Sequence, residues 1–308
     1  MEAENQKLIY SKNQDINLIL ENLLNGFVKL SDLLRNLSTD GKQLETKNKF
    51  GDTQLDTDVA CDEIIFRELK KSGKVAFGLS EEQPEPQLIS GDEKPYIVTF
   101  DPLDGSSIIG TNFTVGTIFG IWNNCDKKLI GHKLREQVTA GVVMYGPRTS
   151  LIYYNDIDEG VHEMNLKQGN WVISKKNLKI EKKGKIFAPG NLRASQENEG
   201  YKRCIDFWIK EAYTLRYTGG MVPDIYQIFI KGKGIFTNLS SSKNPAKLRV
   251  LYEVGPFAFL LEKAGGKAQL PDGSDLLDLQ VSGYDQRSDI IVGSEEEVYT
   301  VERLLKGE

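Results

Sequence analysis

Short strand-like runs packed closely between Val75 and Tyr154 are the feature that most limits the possible folds. Val75–Leu79, Tyr96–Phe100, Thr117–Trp122, Ala140–Tyr145 and Leu151–Tyr154 are rich in branched and aromatic residues and are bounded by turn formers. Two helical patterns precede them. Ile16, Leu20, Leu23, Phe27, Leu30, Leu34 and Leu37 recur every three or four positions, which is one apolar helix face. Asp56 to Lys71 has acids in its first turn and Gly73 beyond its end, as a second helix requires. From Ile186 strands and helices alternate: Ile186–Ala188, a helix around Tyr201–Ala212, Thr214–Tyr217, a helix over Asp224–Ile230, Gly234–Thr237, a helix ending near Lys263, Asp289–Val292 and a helix over Glu295–Leu305. Such alternation predicts a layered α/β protein. At about 150 residues per domain, the 308 residues suggest two lobes, 1–185 and 186–308.

Charge and composition exclude several functions. A net charge of −5 leaves no basic footprint for nucleic acid or an anionic membrane. The start, MEAENQKLIY, has no apolar run of signal-peptide length, and no stretch approaches the ~18 apolar residues of a membrane span. Three cysteines, Cys61, Cys125 and Cys204, form no CxxC pair and fit free thiols in a reducing, cytoplasmic setting. The two histidines, His132 and His162, have no ligand spacing and read as loop or surface residues.

The segment Phe100-Asp101-Pro102-Leu103-Asp104-Gly105-Ser106-Ser107 carries the most chemistry. The Tyr96 strand delivers Asp101 to the edge of a sheet, and Asp104 returns a second carboxylate beside it. Gly105, Ser106 and Ser107 then offer backbone N–H groups at a helix start, where phosphate binds. A helix-capping turn explains either acid alone, but more acids are in play. Glu81 and Glu82 lie just beyond a strand, and Asp52 and Asp58 flank a helix start. Carboxylates that converge must protonate, repel or be neutralised by cations. All-oxygen ligands without His or Cys point to Mg2+ or Mn2+ rather than zinc. Solvated surface acids are the competing explanation. Arg193, Tyr201, Arg216, Tyr217, Lys247 and Arg249 supply cations and hydroxyls that can grip a second phosphate.

The motifs GDTQLDTD (51–58), SEEQPE (80–85), FDPLDGSS (100–107), TNFTVGTIFGIW (111–122), YGPRT (145–149), PGNLRA (189–194), YTLRYTGGMVPD (213–224), KGIFTN (233–238) and KLRVLYE (247–253) resemble the fructose-1,6-bisphosphatase/sedoheptulose-1,7-bisphosphatase family. FDPLDGSS alone marks only the wider superfamily of metal-dependent phosphatases. The motifs TNFTVGTIFGIW, RYTGGMVPD and GIFTN resemble the sedoheptulose branch. The resemblance implies an αβαβα sandwich and Mg2+-dependent removal of the C1 phosphate of a sugar bisphosphate. It implies metal ligands at Asp52, Glu81, Asp101, the carbonyl of Leu103, Asp104 and Glu253, with Asp58 and Glu82 activating water. Gly105, Ser106, Ser107 and Arg249 would hold the reacting phosphate, and Asn198, Tyr201, Tyr217, Asn238 and Lys247 the distal end. Arg216 would reach a neighbouring subunit, which makes the protein a homo-oligomer, a dimer or tetramer.

Departures from the family pattern carry expectations too. LETKNKF (44–50) lacks the Cys pair of thioredoxin-controlled members. Pro95 stands where AMP-inhibited members carry Lys, and Gly110 where the family usually carries Asp. Asn238 replaces the Tyr of fructose-bisphosphatases and leaves room for a longer sugar. Competing functions are a fructose-1,6-bisphosphatase or dual-specificity enzyme, an inositol- or nucleotide-phosphate phosphatase, and a catalytically dead metabolite binder.

Overall fold

The computed structural model describes residues 10–37, 43–47, 53–125 and 128–308. Helix α1 (Gln14–Arg35) leads to a hairpin of β1 (Gln43–Lys47) and β2 (Thr53–Leu55), then to α2 (Asp56–Ser72). Strands β3 (Val75–Ser80), β4 (Gln87–Leu88) and β5 (Tyr96–Asp104) follow, then the one-turn α3 (Ser106–Ile109). Next come β6 (Val115–Asn123), β7 (Gln137–Tyr145), β8 (Thr149–Asn155), β9 (Gly160–Lys167) and β10 (Asn170–Lys175). The remainder is β11 (Ile186–Gly190), α4 (Glu199–Lys210), β12 (Thr214–Leu215), α5 (Met221–Lys231), β13 (Ile235–Asn238), α6 (Gly255–Lys263), β14 (Lys267–Gln269), β15 (Ile290–Gly293) and α7 (Glu295–Lys306). Among the described residues no helix is long and apolar enough to cross a membrane.

Two sheets organise these elements. The larger has eight strands in the order β10-β9-β8-β7-β6-β5-β3-β4, antiparallel except for the β3–β5 pair. The smaller has five, in the order β12-β11-β13-β15-β14. Alternation along each strand sends side chains to opposite faces. Val98, Phe100 and Phe119 pack with Ile16, Leu20, Phe27 and Cys61 of α1 and α2. Ile97, Ile118 and Trp122 pack the other way, with α5, α6 and one face of the small sheet through Phe236, Ile290 and Val292. Ile235 and Ile291 face outward, onto Tyr201, Cys204, Trp208, Val298 and Val301 of α4 and α7. The layers are therefore αβαβα, as the resemblance implied.

α1 keeps the face its spacing predicts, although Leu37 at its end is exposed. The strand expected over Thr214–Tyr217 stops at Leu215. His162 corrects the reading of a loop or surface histidine. It is buried in β9, with Nε2 2.9 Å from Asp158 Oδ1 and Nδ1 accepting the Asn177 amide. α5 sits unusually close to β6 because Gly116 has no side chain. A Cβ there would come within 2.4 Å of Val222 Cγ1 and 2.5 Å of the Val143 carbonyl.

Candidate active site

β3 and β5 run parallel, with Ser80 opposite Phe100. Their ends therefore place Glu81 beside Asp101, and the Glu81 amide donates to the Phe100 carbonyl at 3.1 Å. Asp101 and Asp104 are three positions apart, which in a regular strand puts them on opposite faces. The chain was expected to leave the sheet at Asp101; instead β5 continues to Asp104 with an irregularity. Asp101 pairs with Ile118 and Asp104 with Gly116, so β5 holds one residue more than β6 between them. That bulge accommodates Pro102 and turns both carboxylates to the α5 side. Asp101 Oδ1 accepts the Leu103 amide at 2.9 Å, while the Leu103 side chain is buried toward α1 and α2.

The third acid arrives from the other end of the sequence. Val250–Val254 forms a widened helical turn, in which the Val254 amide reaches back to the Arg249 carbonyl at 3.0 Å. Such π turns open a helix locally and recur at functional sites. This one presents Glu253, which accepts the Arg249 amide at 2.5 Å. Glu81, Asp101 and Glu253 each offer an oxygen within 4.8 Å of the other two. Burial, then the neighbouring Glu81 and Asp104 charges, push Asp101 well above the usual carboxylate range. Burial and Glu81 do the same to Glu253. Three crowded acids, Asp101 and Glu253 buried and Glu81 half-buried, fit a divalent cation, since only a cation neutralises them all without protonation. Arg249, fully buried, offers partial compensation through Nε at 3.5 Å from Glu81 Oε1.

Asp104 stands outside that group of three. Its oxygens accept the Met221 amide at 3.1 Å and the Val222 amide at 2.7 Å, so it ties the first turn of α5 to the bulge. Burial still raises it, to about 7. Asp58 and Asp62 lie one turn apart on α2 and are both buried. They share a neighbourhood with Asp101: burial first, then the charges of Asp58, Asp101 and Asp62, raise the Cys61 thiol. Asp62 accepts Gln83 Nε2 at 3.1 Å, which links α2 to the turn carrying Glu81 and half-buried Glu82. Sequence reading missed Asp62, although its i+4 spacing from Asp58 on a helical pattern was the available signal. Asp52 lies outside the described residues.

A cavity of about 190 Å³ adjoins the acids. Asp104, Gly105, Ser106, Ser107 and Glu253 line one side, and Gly190, Tyr217, Gly219, Asp224, Asn238 and Leu248 line others. α3 is a single turn, so an anion at this wall would meet the loop's own N–H groups rather than a long helix dipole. Gly190 faces Asn238 across the β11–β13 pair. Asn238 Oδ1 is buried without a hydrogen-bond partner. A larger open cavity of about 540 Å³, lined by Ser240, Pro245, Leu270, Asp272, Arg287 and Asp289 among others, holds none of the three clustered carboxylates.

The remaining distal candidates divide. Tyr217 is half exposed at the cavity wall. Tyr201 is fully buried in α4, its hydroxyl donating to the Gly190 carbonyl at 2.6 Å and lying 3.1 Å from Thr237 Oγ1. Asn198 caps α4, its Oδ1 accepting the Tyr201 amide and its Nδ2 donating to Ser240 O. Lys247 is exposed beside Leu248. Arg216 is exposed, its guanidinium donating to the Leu215 carbonyl, and it does not line the cavity of its own subunit.

Comparison with known proteins follows this geometry. Residues 1–176 match the N-terminal domain of fructose-1-6-bisphosphatase, and residues 180–306 match its C-terminal domain. The chain is 47% identical over 262 residues to the chloroplastic sedoheptulose-1,7-bisphosphatase of Spinacia oleracea, covering 84% of this chain and 67% of that one. It is 40% identical over 259 residues to the class 1 fructose-1,6-bisphosphatase of Geotalea uraniireducens, covering 82% and 80%. The crystal structure of Leishmania major fructose-1,6-bisphosphatase superimposes with a TM-score of 0.88 at 27% identity, covering 96% of each chain. The two domain matches and these relatives show that this chain belongs to the fructose-1,6-bisphosphatase family of sugar-bisphosphate phosphatases.

Proposed function

We propose that the chain hydrolyses the C1 phosphate of sedoheptulose 1,7-bisphosphate, giving sedoheptulose 7-phosphate and phosphate, with Mg2+ as its cation (Mn2+ being able to replace it). The observation that carries this reading is the three-carboxylate group of Glu81, Asp101 and Glu253 set beside the Asp104–Ser107 wall of the cavity. Asp52, Asp104 and the Leu103 carbonyl complete the ligand set in this reading. A bound divalent cation neutralises charge on the phosphoryl group and acidifies water. Asp58 and Glu82 take the proton of the attacking water, and the amides of Gly105, Ser106 and Ser107 hold the phosphoryl oxygens. Arg249, 3.5 Å from Glu81, holds the reacting phosphate together with these amides in this reading.

The seven-carbon preference rests on the nearer likeness to the spinach enzyme, 47% against 40% for the Geotalea one. Asn238 supports it as well, because its unpaired Oδ1 is an acceptor that a sugar hydroxyl satisfies. Asn198, Tyr201, Tyr217 and Lys247 are the distal-phosphate candidates. Fructose-1,6-bisphosphatase or dual activity is the second reading, favoured by the likeness to the Geotalea enzyme. In this reading residues 1–185 form the metal and reacting-phosphate lobe and 186–308 the sugar lobe. Arg216, turned away from its own cavity, serves a neighbouring subunit of a dimer or tetramer. Phosphate release from both bisphosphates, with Mg2+ titrated, tests the assignment. Turnover of the six-carbon sugar alone would reverse it, and release without any divalent cation would remove the metal.

A further inference from the structure

Five successive backbone N–H groups, Thr218 to Val222, each donate to a side-chain oxygen. Met221 and Val222 use the two oxygens of Asp104, as described above. Gly220 N–H donates to Thr218 Oγ1 at 3.3 Å. Thr218 N–H donates to Asp224 Oδ1 at 2.7 Å, and Gly219 N–H to Asp224 Oδ2 at 3.1 Å. Asp224 is 1% exposed and sits in the first turn of α5, where the helix field favours a negative charge. The division of labour is clear. Asp104 anchors α5 to the acid cluster. Asp224 anchors the segment ahead of α5, which brings Tyr217 and Gly219 to the cavity wall. Gly219 has φ +100°, a conformation that strongly favours glycine. Tyr217 is 46% exposed, so packing fixes only part of it.

We propose that Asp224 is a positioning residue for substrate binding, which holds the Tyr217–Gly219 segment in the shape that grips the far end of the sugar bisphosphate. This rests on the function proposed above. Ordinary helix capping is the competing explanation. Capping alone costs stability and leaves the affinity of the folded enzyme unchanged. A positioning role costs binding more than chemistry, because the acid cluster and the Gly105–Ser107 loop are held by other contacts.

The test compares wild type with Asp224→Asn, which keeps the shape but turns an NH2 group toward one of the two amides. Phosphate release is measured on both bisphosphates at saturating Mg2+, with Tm recorded alongside. KM is expected to rise about 10-fold while kcat stays within about 3-fold, the pattern of lost uniform binding. Adding Tyr217→Phe to Asp224→Asn is expected to raise KM by no more than about 2-fold further, since coupled residues are non-additive. Unchanged KM with a lowered Tm, or fully additive effects, overturns the proposal. Should Asp224→Asn fail to fold, Thr218→Ala leaves the carboxylate in place and removes the hydroxyl that accepts the Gly220 amide and hydrogen-bonds Asp224. It is expected to raise KM in the same direction by a smaller factor, and an unchanged KM there is equally fatal. A wild type that releases phosphate from neither sugar refutes the function itself, and the positioning role falls with it. An active wild type with an indifferent Asp224 refutes the positioning role alone.

Discussion

The Asp104 carboxylate and the Val222 amide, 118 positions apart in the chain, meet at 2.7 Å. That contact joins the strand carrying the acids to the helix that opens the sugar side of the cavity. It depends on Gly116, which lets α5 approach β6. Gly116→Ala is expected to destabilise the protein by about 1–3 kcal/mol, the usual cost of overpacking. Activity should fall too, as Val222 is pushed off Asp104. Urea unfolding and phosphate release measure the two effects; wild-type values in both would show that the close approach is dispensable.

Asp101→Asn is expected to abolish turnover, with a loss exceeding the about 10–100-fold typical of a mere neighbour of a metal ligand. The same change should raise Tm in EDTA, because it removes a buried acid from a group of three that repel one another. Stabilisation by added Mg2+ should shrink. A lowered Tm in EDTA would contradict the electrostatic account of the cluster.

Burial raises Asp224 to about 6 and Asp104 to about 7. A carboxyl raised in the folded state binds a proton there that the unfolded chain has already lost. The contribution of these two groups to the stability of the metal-free protein is therefore greatest below about pH 4, near the ordinary carboxylate value. It should fall as pH rises through 6 to 7 and then level off. Melting curves in EDTA from pH 4 to 8 measure this, and a Tm that climbs between pH 5 and 7 would reverse the sign.

Asn238→Tyr places a ring in a cavity of about 190 Å³ that Asn238 and Gly190 keep open. The ratio of kcat/KM is expected to shift toward the six-carbon sugar. An unchanged ratio would mean that the site's length is set elsewhere.

Reduced thioredoxin is expected to leave activity unchanged. Cys61 and Cys204 are buried in different cores, against α1 and against α7, and Cys125 is exposed. Activity assays with and without reductant decide this; several-fold activation would require a disulfide among these three.

Local periodicity made most helices and strands legible. Six of the seven apolar positions, Ile16 to Leu34, fall in α1, and with the branched runs of β5 and β6 they encode their faces directly. The site was harder to read. Asp101 and Asp104 share a face only through one extra residue, and Pro102 was the sole hint of it. Glu253 required the family motif, since nothing local marks a widened turn as the partner of acids so distant in sequence. Tyr201 and Asn198 also have structural roles that the motif does not announce: one bonds the Gly190 carbonyl and the other caps α4. A Cβ at Gly110 would meet no heavy atom within 4 Å, so an Asp there would fit sterically. The loss of that acid is not a packing effect.

The widened turn at Val250–Val254 also has a consequence for biosynthesis. Glu253 is supplied only after both sheets' earlier strands have left the ribosome, so a growing chain carries an incomplete cage for most of its synthesis. A polypeptide that ends before Glu253 lacks one of the three clustered carboxylates, and it also lacks α6, β14 and β15, whose side chains complete the core beneath the large sheet, so the cage and the core are finished together.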